Sequence, residues 1–278
     1  MSVPILLATA ADRTISLAEY VEHVRREVDV RDLDSAAASA PMLAALANDR
    51  GFLGALLGRE LRDPARFQAD NDYISPSFIL ARGRGWFVRA NVWTPRVDDE
   101  PELQDRVNFY ALGHDHNFSF LTVGYRGPGY ETALYEVEPG SFAEEVGAPV
   151  ELRFIGRTTL APGQVMLYRA SRDVHEQAPP PELSISLNLM LVPPEASLVS
   201  QHYFDLQAGR VAAIAGLATR GRMALCRLAG LLGDPSLAGP LAQLAAQHPT
   251  PVVRRAAASA LAQLEGGGAG QDVEAPGA

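Results

Sequence analysis

The runs Phe118-Ser-Phe-Leu-Thr-Val-Gly-Tyr125 and Glu131-Thr-Ala-Leu-Tyr-Glu-Val137 flank the triplet Gly127-Pro128-Gly129. Both runs are rich in β-branched and aromatic residues, which favour extended strands, and the glycines and proline between them favour a tight turn. This part of the sequence therefore predicts two strands separated by a turn.

Similar short runs recur from Tyr73 to Pro194, separated by turn residues such as Pro139-Gly140 and Pro162-Gly163. The predicted strands cover residues 78–81, 86–93, 108–112, 118–125, 131–137, 151–159, 164–168 and 183–191. About eight short strands with hairpin-like turns favour a closed barrel or jelly roll over a sheet of βαβ units.

Helical patterns flank this β region. Residues 14–62 have the apolar spacing of helices, with one helix expected through Val28 and a second over about 40–61, which Asp63-Pro64 ends. The pattern becomes helical again after Pro193-Pro194. The predicted organisation is an N-terminal helical segment packed on the barrel (1–72), the barrel (73–194), a helical segment (195–265) and a disordered Gly-rich tail (266–278).

Composition restricts the location and the partners of the protein. The net charge of −9 leaves no excess of basic side chains to neutralise phosphates, which argues against nucleic acid and anionic membranes as partners. No apolar run approaches the roughly 20 residues needed to cross a bilayer. The single cysteine, Cys226, excludes an intramolecular disulfide and fits a reducing, cytoplasmic location.

Three of the six histidines fall in the β region, and we expect them to bind a metal ion. His114 and His116 are two residues apart, so both imidazoles point to the same face if they lie on a strand. His175 comes later, close to the end of a strand. Three neutral imidazoles on one face of an ion suit Fe(II), and they would also accommodate Zn, Ni, Mn or Cu.

This arrangement resembles the cupin superfamily, in which a His-x-His strand is followed later in the chain by a last His ligand. Cupins often have an acidic ligand shortly after the pair, but Phe120 stands at that position, which leaves Glu131 and Glu136 as candidates. In lacking this acidic ligand the chain resembles the thiol dioxygenase branch (cysteine dioxygenase and relatives), whose iron is held by three histidines.

Other stretches resemble that branch in the same order along the chain. The resemblance implies a cupin-type β-barrel over roughly residues 73–194, with a mononuclear iron site. The matching stretches are Arg89-Ala-Asn91 (whose arginine holds the substrate carboxylate in the family), Gly113-His-Asp-His116, the strand 131–136, Val174-His175, and the strand 183–190 that leads to Pro193-Pro194.

The last strand of the barrel departs from the family pattern. Thiol dioxygenases have Ser-x-His-x-Tyr there, which orients a catalytic tyrosine, whereas this chain has Ser186-Leu-Asn188-Leu-Met190. Methionine cannot donate a hydrogen bond, so the resemblance leaves the substrate and the outcome of the reaction open. Tyr125 and Tyr130, on either side of the Gly-Pro-Gly turn, are candidates to replace the tyrosine.

Besides the three histidines, several other residues are candidates for the site. The catalytic candidates are Arg89, which would grip a carboxylate with two parallel hydrogen bonds, together with Ser186, Asn188 and Tyr125. Further polar groups expected near the metal are those of Asn91, Asn117 and Gln164, and Glu176 or Gln177 would orient the imidazole of His175. Asp115 should point to the opposite face from its neighbours, into a turn or a surface contact.

The C-terminal helical segment resembles one HEAT-type repeat over about 35 residues. Asp234-Pro235 would open its first helix, and Pro251-Val-Val-Arg-Arg-Ala-Ala257 would open its second. A lone repeat cannot bury its apolar face by itself, so it should pack on the barrel, on the preceding helix or on a protein partner.

These features favour a mononuclear non-heme iron oxygenase that oxidises a small carboxylate-bearing substrate, such as a thiol, amino acid or peptide, with O₂. Two alternatives stay open. One is a non-oxidative cupin whose metal acts as a Lewis acid in an isomerase, lyase or hydrolase. The other is a non-catalytic binding protein that docks a partner through its helical tail. The sequence contains no nucleophile elbow, P-loop or dinucleotide-binding motif.

Overall fold

Two antiparallel β-sheets form the centre of the protein. The computed structural model describes residues 5–7, 12–63, 68, 71, 76–96, 110–215 and 217–267. The strands in these ranges are β1 (Ile5–Leu7), β2 (Ser77–Gly83), β3 (Trp86–Trp93), β4 (Gly113–His114), β5 (Ser119–Arg126), β6 (Glu131–Glu136), β7 (Arg153–Thr159), β8 (Val165–Tyr168), β9 (Asp173–Gln177), β10 (Ser184–Leu191), β11 (Gln201–Asp205) and β12 (Arg210–Ala215).

Four pairs of these strands are nested one inside the other along the chain. The first sheet has the order β1-β8-β5-β10-β3-β2, and the second has the order β12-β11-β4-β9-β6-β7. Strand β6 pairs with β7, β5 with β8, β4 with β9 and β3 with β10, all antiparallel. A long hairpin folded so that alternate pairs fall in opposite sheets has this pairing, which is that of a jelly roll. The architecture therefore agrees with the predicted jelly roll.

The strand predictions differ from the structure in four places. Strand β1, in the N-terminal segment expected to be helical, was not predicted and pairs with β8. In the run 108–112, residues 108 and 109 lie outside the described residues, and the strand begins only at Gly113. Strand β9 was not among the predicted strands, although His175 was expected close to the end of a strand. The expectation of a helical segment after Pro194 holds only for a short 3-10 helix (Pro194–Leu198), because β11 and β12 then form a hairpin and β11 pairs with β4. The barrel therefore continues beyond the predicted boundary, to Ala215.

Four short helices cover the outer face of the first sheet. They are α1 (Leu17–Glu27), α2 (Leu33–Ala38), α3 (Ala40–Ala47) and α4 (Phe52–Glu60). The first begins at a capping box, in which Ser16 and Glu19 satisfy each other's backbone N–H groups. The predicted helix over 40–61 is two helices, because the Asp49 carboxylate accepts from the N–H of Gly51 and favours a turn.

The first sheet is buried on both faces. Its outer side chains pack against the helices in one apolar cluster, whose largest members are Tyr20, Leu43, Leu46, Leu121, Val123, Leu187 and Leu189. Its inner side chains form a second, mostly aromatic cluster with residues of the other sheet, including Phe87, Trp93, Tyr110, Phe120, Tyr130, Met166, Tyr168 and Met190. Burial on both faces explains why β5 and β10 read as nearly continuous apolar runs.

Three further helices follow the second sheet: α5 (Leu217–Leu232), α6 (Ala238–Gln247) and α7 (Pro251–Gly267). They share a small core that includes Cys226, Leu241 and Ala257. The side chain of Asp234 accepts the N–H of Ser236 at the turn before α6, as an opening Asp-Pro would. The likeness to a HEAT repeat and the docking of a partner both stay predictions. The predicted disordered tail lies outside the described residues from residue 268 onward.

None of the described helices is both long and apolar enough to cross a membrane.

Two glycines provide a matched test of the packing. A Cβ at Gly124 would lie 2.1 Å from the carbonyl oxygen of Ala161, whereas a Cβ at Gly54 would meet nothing within 4 Å. We expect Gly124→Ala to destabilise the fold by about 2–3 kcal/mol, because two backbones would have to separate. Gly54→Ala in α4 should stabilise it by about 0.5–1 kcal/mol. Equal free energies of unfolding for the two variants in urea titrations would contradict the packing described here.

Candidate metal centre

Three imidazoles meet between the two sheets. His114 ends β4 and is paired directly with His175 on β9, while His116 lies two residues further along the same face. The Nε2 atom of His175 is 3.1 Å from the Nε2 of His114 and 3.1 Å from the Nε2 of His116. One ligand atom from each residue lies within 4.8 Å of the other two. The predicted triad is therefore assembled in one place.

These separations fit a single metal ion. Metal–nitrogen bonds of about 2.05 Å at angles between 90° and 110° place two ligand nitrogens roughly 2.9–3.4 Å apart. The two distances of 3.1 Å fall in this range. The donor set consists of three nitrogens without a carboxylate, which is compatible with Fe(II), Zn, Ni, Mn or Cu.

A backbone carbonyl sets the tautomer of His114. The Nδ1 atom of His114 is 2.8 Å from the carbonyl oxygen of Leu112, which can only accept a hydrogen bond. Nδ1 therefore carries the proton, and the lone pair of Nε2 points into the cluster. Metal-binding histidines usually have such a partner on the second nitrogen.

Gln177 plays the same role for His175, as the sequence analysis expected. The amide nitrogen of Gln177 lies 3.2 Å from Nδ1 and 3.4 Å from Nε2 of His175, and its amide oxygen is buried without a hydrogen bond among the described residues. Exchanging the amide nitrogen and oxygen lets the oxygen accept the Nδ1 proton and leaves the Nε2 lone pair for the metal. The orientation of an amide is assigned from its hydrogen bonds, and we assign the one in which the oxygen of Gln177 faces Nδ1 of His175.

Burial keeps the three imidazoles neutral. It lowers the pKa of His114, and it lowers the pKa of both His116 and His175 well below the usual value. Neighbouring imidazoles and the positive charge of Arg89 add to the effect at His116 and His175. A neutral imidazole is the form that binds a metal, so the site needs little or no deprotonation at neutral pH.

Aromatic rings form the wall beside the triad. The ring of Phe118 stacks on His116 with centroids 4.8 Å apart, and Phe120 meets His116 edge to face at 5.2 Å. Tyr168 lies against His175 at 4.7 Å and stacks on Phe120 at 4.6 Å. These rings restrict water around the imidazoles. His114 and His175 are buried, and His116 is half-buried.

Three of the four catalytic candidates lie on the inner face of the first sheet. Arg89 and Asn188 are neighbours across β3 and β10, and Ser186 lies one inward position further along β10. The amide nitrogen of Asn188 donates to the hydroxyl of Thr122 at 2.7 Å, and the Ser186 hydroxyl accepts from the indole of Trp93 at 3.0 Å. The side-chain oxygen of Asn188 is buried and has no hydrogen-bond partner among the described residues. Their catalytic roles stay predictions.

The candidate Tyr125 does not lie at this site. Its side chain is on the outer face of β5, where the hydroxyl donates to the carbonyl of Asp49 at 3.0 Å and the ring meets Phe52. The prediction for Tyr125 is therefore wrong, because alternation along β5 sends it to the face opposite Phe120. Tyr130 is inside the barrel, against Trp93 with ring centroids 4.1 Å apart.

Tyr168 is the residue that sequence reasoning missed. It is buried on the inner face of β8 beside His175, and burial raises its pKa well above the usual value, so its hydroxyl remains protonated. The alternation in Val165-Met-Leu-Tyr168 was a usable indication, because it places Tyr168 and Met166 on one face.

Neither candidate for an acidic fourth ligand reaches the triad. Glu131 is exposed and pairs with Arg157 at 2.9 Å. Glu136 is on the inner face but binds Arg153, Arg169 and Arg172, and Arg153 and Arg169 lower its pKa. A carboxylate held by three guanidiniums is already neutralised, which removes its tendency to bind a metal.

The remaining polar candidates have structural contacts. Asn91 accepts from the hydroxyl of Ser77 at 2.8 Å, and Gln164 accepts from the N–H of Ala161 in a turn. The amide of Asn117 donates to two carbonyls of the segment after β10. Glu176 alternates with His175 and so points to the other face of β9.

Asp115 points away from the metal, as predicted, but it is not at the surface. It is 1% exposed and bonded to His202. The expected turn or surface contact is therefore wrong, because the side chain is held against His202 of the neighbouring strand β11.

Neither a protein-family model nor a curated protein matches this chain. Solved structures do. A hydroquinone 1,2-dioxygenase from Sphingomonas sp. TTNP3 is 11% identical over 45% of this chain and 70% of its own, with a TM-score of 0.26. A cupin-superfamily sugar phosphate isomerase from Silicibacter pomeroyi is 11% identical over 51% and 76%, with a TM-score of 0.27.

A DMSP lyase from Ruegeria pomeroyi is 10% identical over 51% of this chain and 50% of its own, with a TM-score of 0.24. The chain thus spans about half the length of that lyase. These three proteins carry out different reactions, and at such low identities and TM-scores they assign none of them to this chain.

The contact between Gln177 and His175 can be tested by metal affinity. We expect Gln177→Leu to weaken binding of a divalent metal by roughly 10- to 100-fold, because the His175 ring loses the partner that fixes its tautomer and orientation. Gln164→Leu, in a turn, is the matched control and should leave the affinity unchanged. Competition with a chromophoric chelator measures both, and equal losses in the two variants would contradict the assignment.

Proposed function

We propose that this chain is a mononuclear non-heme iron oxidoreductase, dioxygenase-like in its reaction, that oxidises a small carboxylate-bearing substrate with O₂. The substrate class is a thiol, an amino acid or a peptide. The observation that carries the proposal is the convergence of three neutral imidazoles in a mostly aromatic interior, without a carboxylate among them.

Iron bound to such a facial triad would activate O₂ and hold the substrate beside it. The side chains of the protein would bind and orient the substrate. Arg89 lies close enough for its charge to lower the pKa of both His116 and His175. In this proposal its guanidinium receives the substrate carboxylate in two parallel hydrogen bonds, because a planar fork matches a carboxylate better than an ammonium does.

In the proposal, Asn188 and Ser186 provide further polar contacts for the substrate. Asn188 is adjacent to Arg89 in the sheet, and one polar atom of its amide is without a partner among the described residues. A buried polar atom without a hydrogen bond costs free energy, so a substrate group that pairs with it gains affinity. In the proposal, Asn188 therefore orients the substrate next to its carboxylate.

Tyr168 takes the part that the sequence analysis had given to Tyr125. Its hydroxyl is protonated and its ring touches His175. The hydroxyl lies 4.0 Å from the sulfur of Met166, and a hydrogen bond with Thr132 partly offsets the rise in its pKa that burial causes. In the proposal, this hydroxyl donates a hydrogen bond to the reacting atoms, a contact that Met190 cannot make.

Oxygen uptake tests the proposal directly. The purified chain is reconstituted with Fe(II) in the absence of air and then mixed with oxygenated buffer and one candidate substrate at a time. It should consume O₂ with at least one of the thiols, amino acids or peptides tested. His175→Ala should lose both metal and uptake, whereas His23→Ala, on helix α1, should retain both. Stoichiometric zinc in the purified protein and no O₂ consumption with any substrate would instead support a non-oxidative Lewis-acid reaction.

The two tyrosines provide a second test. We expect Tyr168→Phe to lower the turnover of O₂ by about 100-fold without loss of metal, because only the hydroxyl is removed. Tyr125→Phe should leave turnover unchanged and cost about 1 kcal/mol of stability, the value of its hydrogen bond to Asp49. Initial rates of O₂ uptake and thermal unfolding measure these effects. An unchanged rate in Tyr168→Phe would remove Tyr168 from the mechanism.

A further inference from the structure

The segment that carries two of the three histidines has very little sheet of its own. Strand β4 is two residues long and pairs with β9 only at His114 and His175. It pairs with β11 through Gly113 and His114. His116 lies beyond the end of the strand, where its carbonyl accepts from the N–H of Ser171 at 2.7 Å. Because so few residues of this segment are paired in the sheet, other contacts must set the positions of the imidazoles of His114 and His116.

Asp115 makes such a contact on the outer face. Its N–H donates to the carbonyl of His202 at 3.2 Å, and its Oδ1 accepts from the N–H of His202 at 2.6 Å. Its Oδ2 lies 3.1 Å from Nδ1 of His202. Both residues are buried, with 1% and 4% of their surfaces exposed. Hydrogen bonds to a carboxylate are about twice as strong as neutral ones, so this residue ties β4 firmly to β11.

Asn117 attaches the segment a second time, on the far side of His116. Its amide donates to the carbonyls of Ala196 at 2.7 Å and Val199 at 3.2 Å. In the order His114-Asp115-His116-Asn117, imidazoles that face the metal site therefore alternate with side chains that fasten the backbone to the chain after β10.

The anchoring segment, residues 194–202, is held in turn from both helical parts of the protein. Arg31, after α1, forms a two-bond ion pair with Glu195 at 2.6 and 2.9 Å. Arg222 on α5 donates to the carbonyl of Ser197 at 2.6 Å, and Thr250 before α7 donates to the carbonyl of Leu198. The anchor for Asp115 and Asn117 is thus fixed to three other elements.

We propose that Asp115 is a positioning residue of the metal centre. Its carboxylate, bonded to His202, sets the spacing and direction of the imidazoles on either side of it and thereby the affinity and geometry of the bound ion. The inference rests on the proposed function only in requiring a divalent metal at the three histidines. It does not depend on iron or on a reaction with O₂.

Cobalt(II) binding tests the inference, because the absorption spectrum of the ion reports its ligand geometry. We expect Asp115→Ala to weaken Co(II) affinity by about 10- to 100-fold, the range for residues that orient metal ligands, and to shift the visible spectrum. Asp115→Asn retains an oxygen for the N–H of His202 and should have a smaller loss with a measurable spectral shift.

Asp205→Ala is the matched control. Asp205 lies on the same strand as His202, and its carboxylate accepts the N–H groups of Gln207 and Ala208 in an exposed turn. Its removal should lower the melting temperature without changing the affinity or the spectrum of Co(II).

Wild-type affinity together with a wild-type spectrum in folded Asp115→Ala would overturn the inference and leave Asp115 a purely structural role. If that variant does not fold, the same two measurements on Asp115→Asn decide. A wild-type chain that binds no divalent metal would overturn the proposed function itself. If instead the wild-type chain and the Asp115 variant bind Co(II) equally well and with the same spectrum, only the inference about Asp115 fails.

Discussion

The contact among three buried imidazole nitrogens is the interaction on which the rest of the site depends. Lone pairs aimed at one point repel one another, and at 3.1 Å this repulsion is strong in a medium of low dielectric constant. An additional proton that would charge one of the rings is disfavoured, because burial lowers all three pKa values. A divalent cation removes the repulsion and keeps the imidazoles neutral. The donor set therefore suits a divalent cation, which is bound by the neutral form of each imidazole.

The surrounding layers compensate for a polar interior. A barrel that places Arg89, Asn188 and three histidines inside it gives up apolar burial on its inner faces. The first sheet recovers this on its outer face, where Leu121 and Leu187 join the helical cluster. The N-terminal helices are thus part of the stability of the site, since burial of apolar area is the main favourable term in folding.

Strand alternation explains what the sequence predicted well and where it was wrong. Two histidines separated by one residue had to share a face, and the structure places them beside His175. The same rule excludes Tyr125, which alternates with Phe120, once the inner face is known. The sequence did not reveal which face was inner, because both faces of β5 are apolar. The hairpin β11–β12 was missed because Pro193-Pro194 reads as a boundary, although the chain then returns to pair with β4.

The position of the tyrosine bears on which chemistry the barrel supports. Tyr168, Phe120 and Met190 lie in one row across β8, β5 and β10, since Phe120 pairs with both of the others. Neighbouring strands are about 4.8 Å apart, so the phenol stands roughly 10 Å from the position that Met190 occupies. It approaches the triad from the His175 side, whereas Arg89 lies on β3, beyond β10. In the proposal, a carboxylate held by Arg89 and a hydroxyl donated by Tyr168 would therefore contact a substrate from two separate strands of the first sheet, β3 and β8. That placement differs from the thiol dioxygenase pattern that the sequence resembles, in which the hydroxyl comes from the last strand, and for the proposed reaction it favours a substrate long enough to reach both groups.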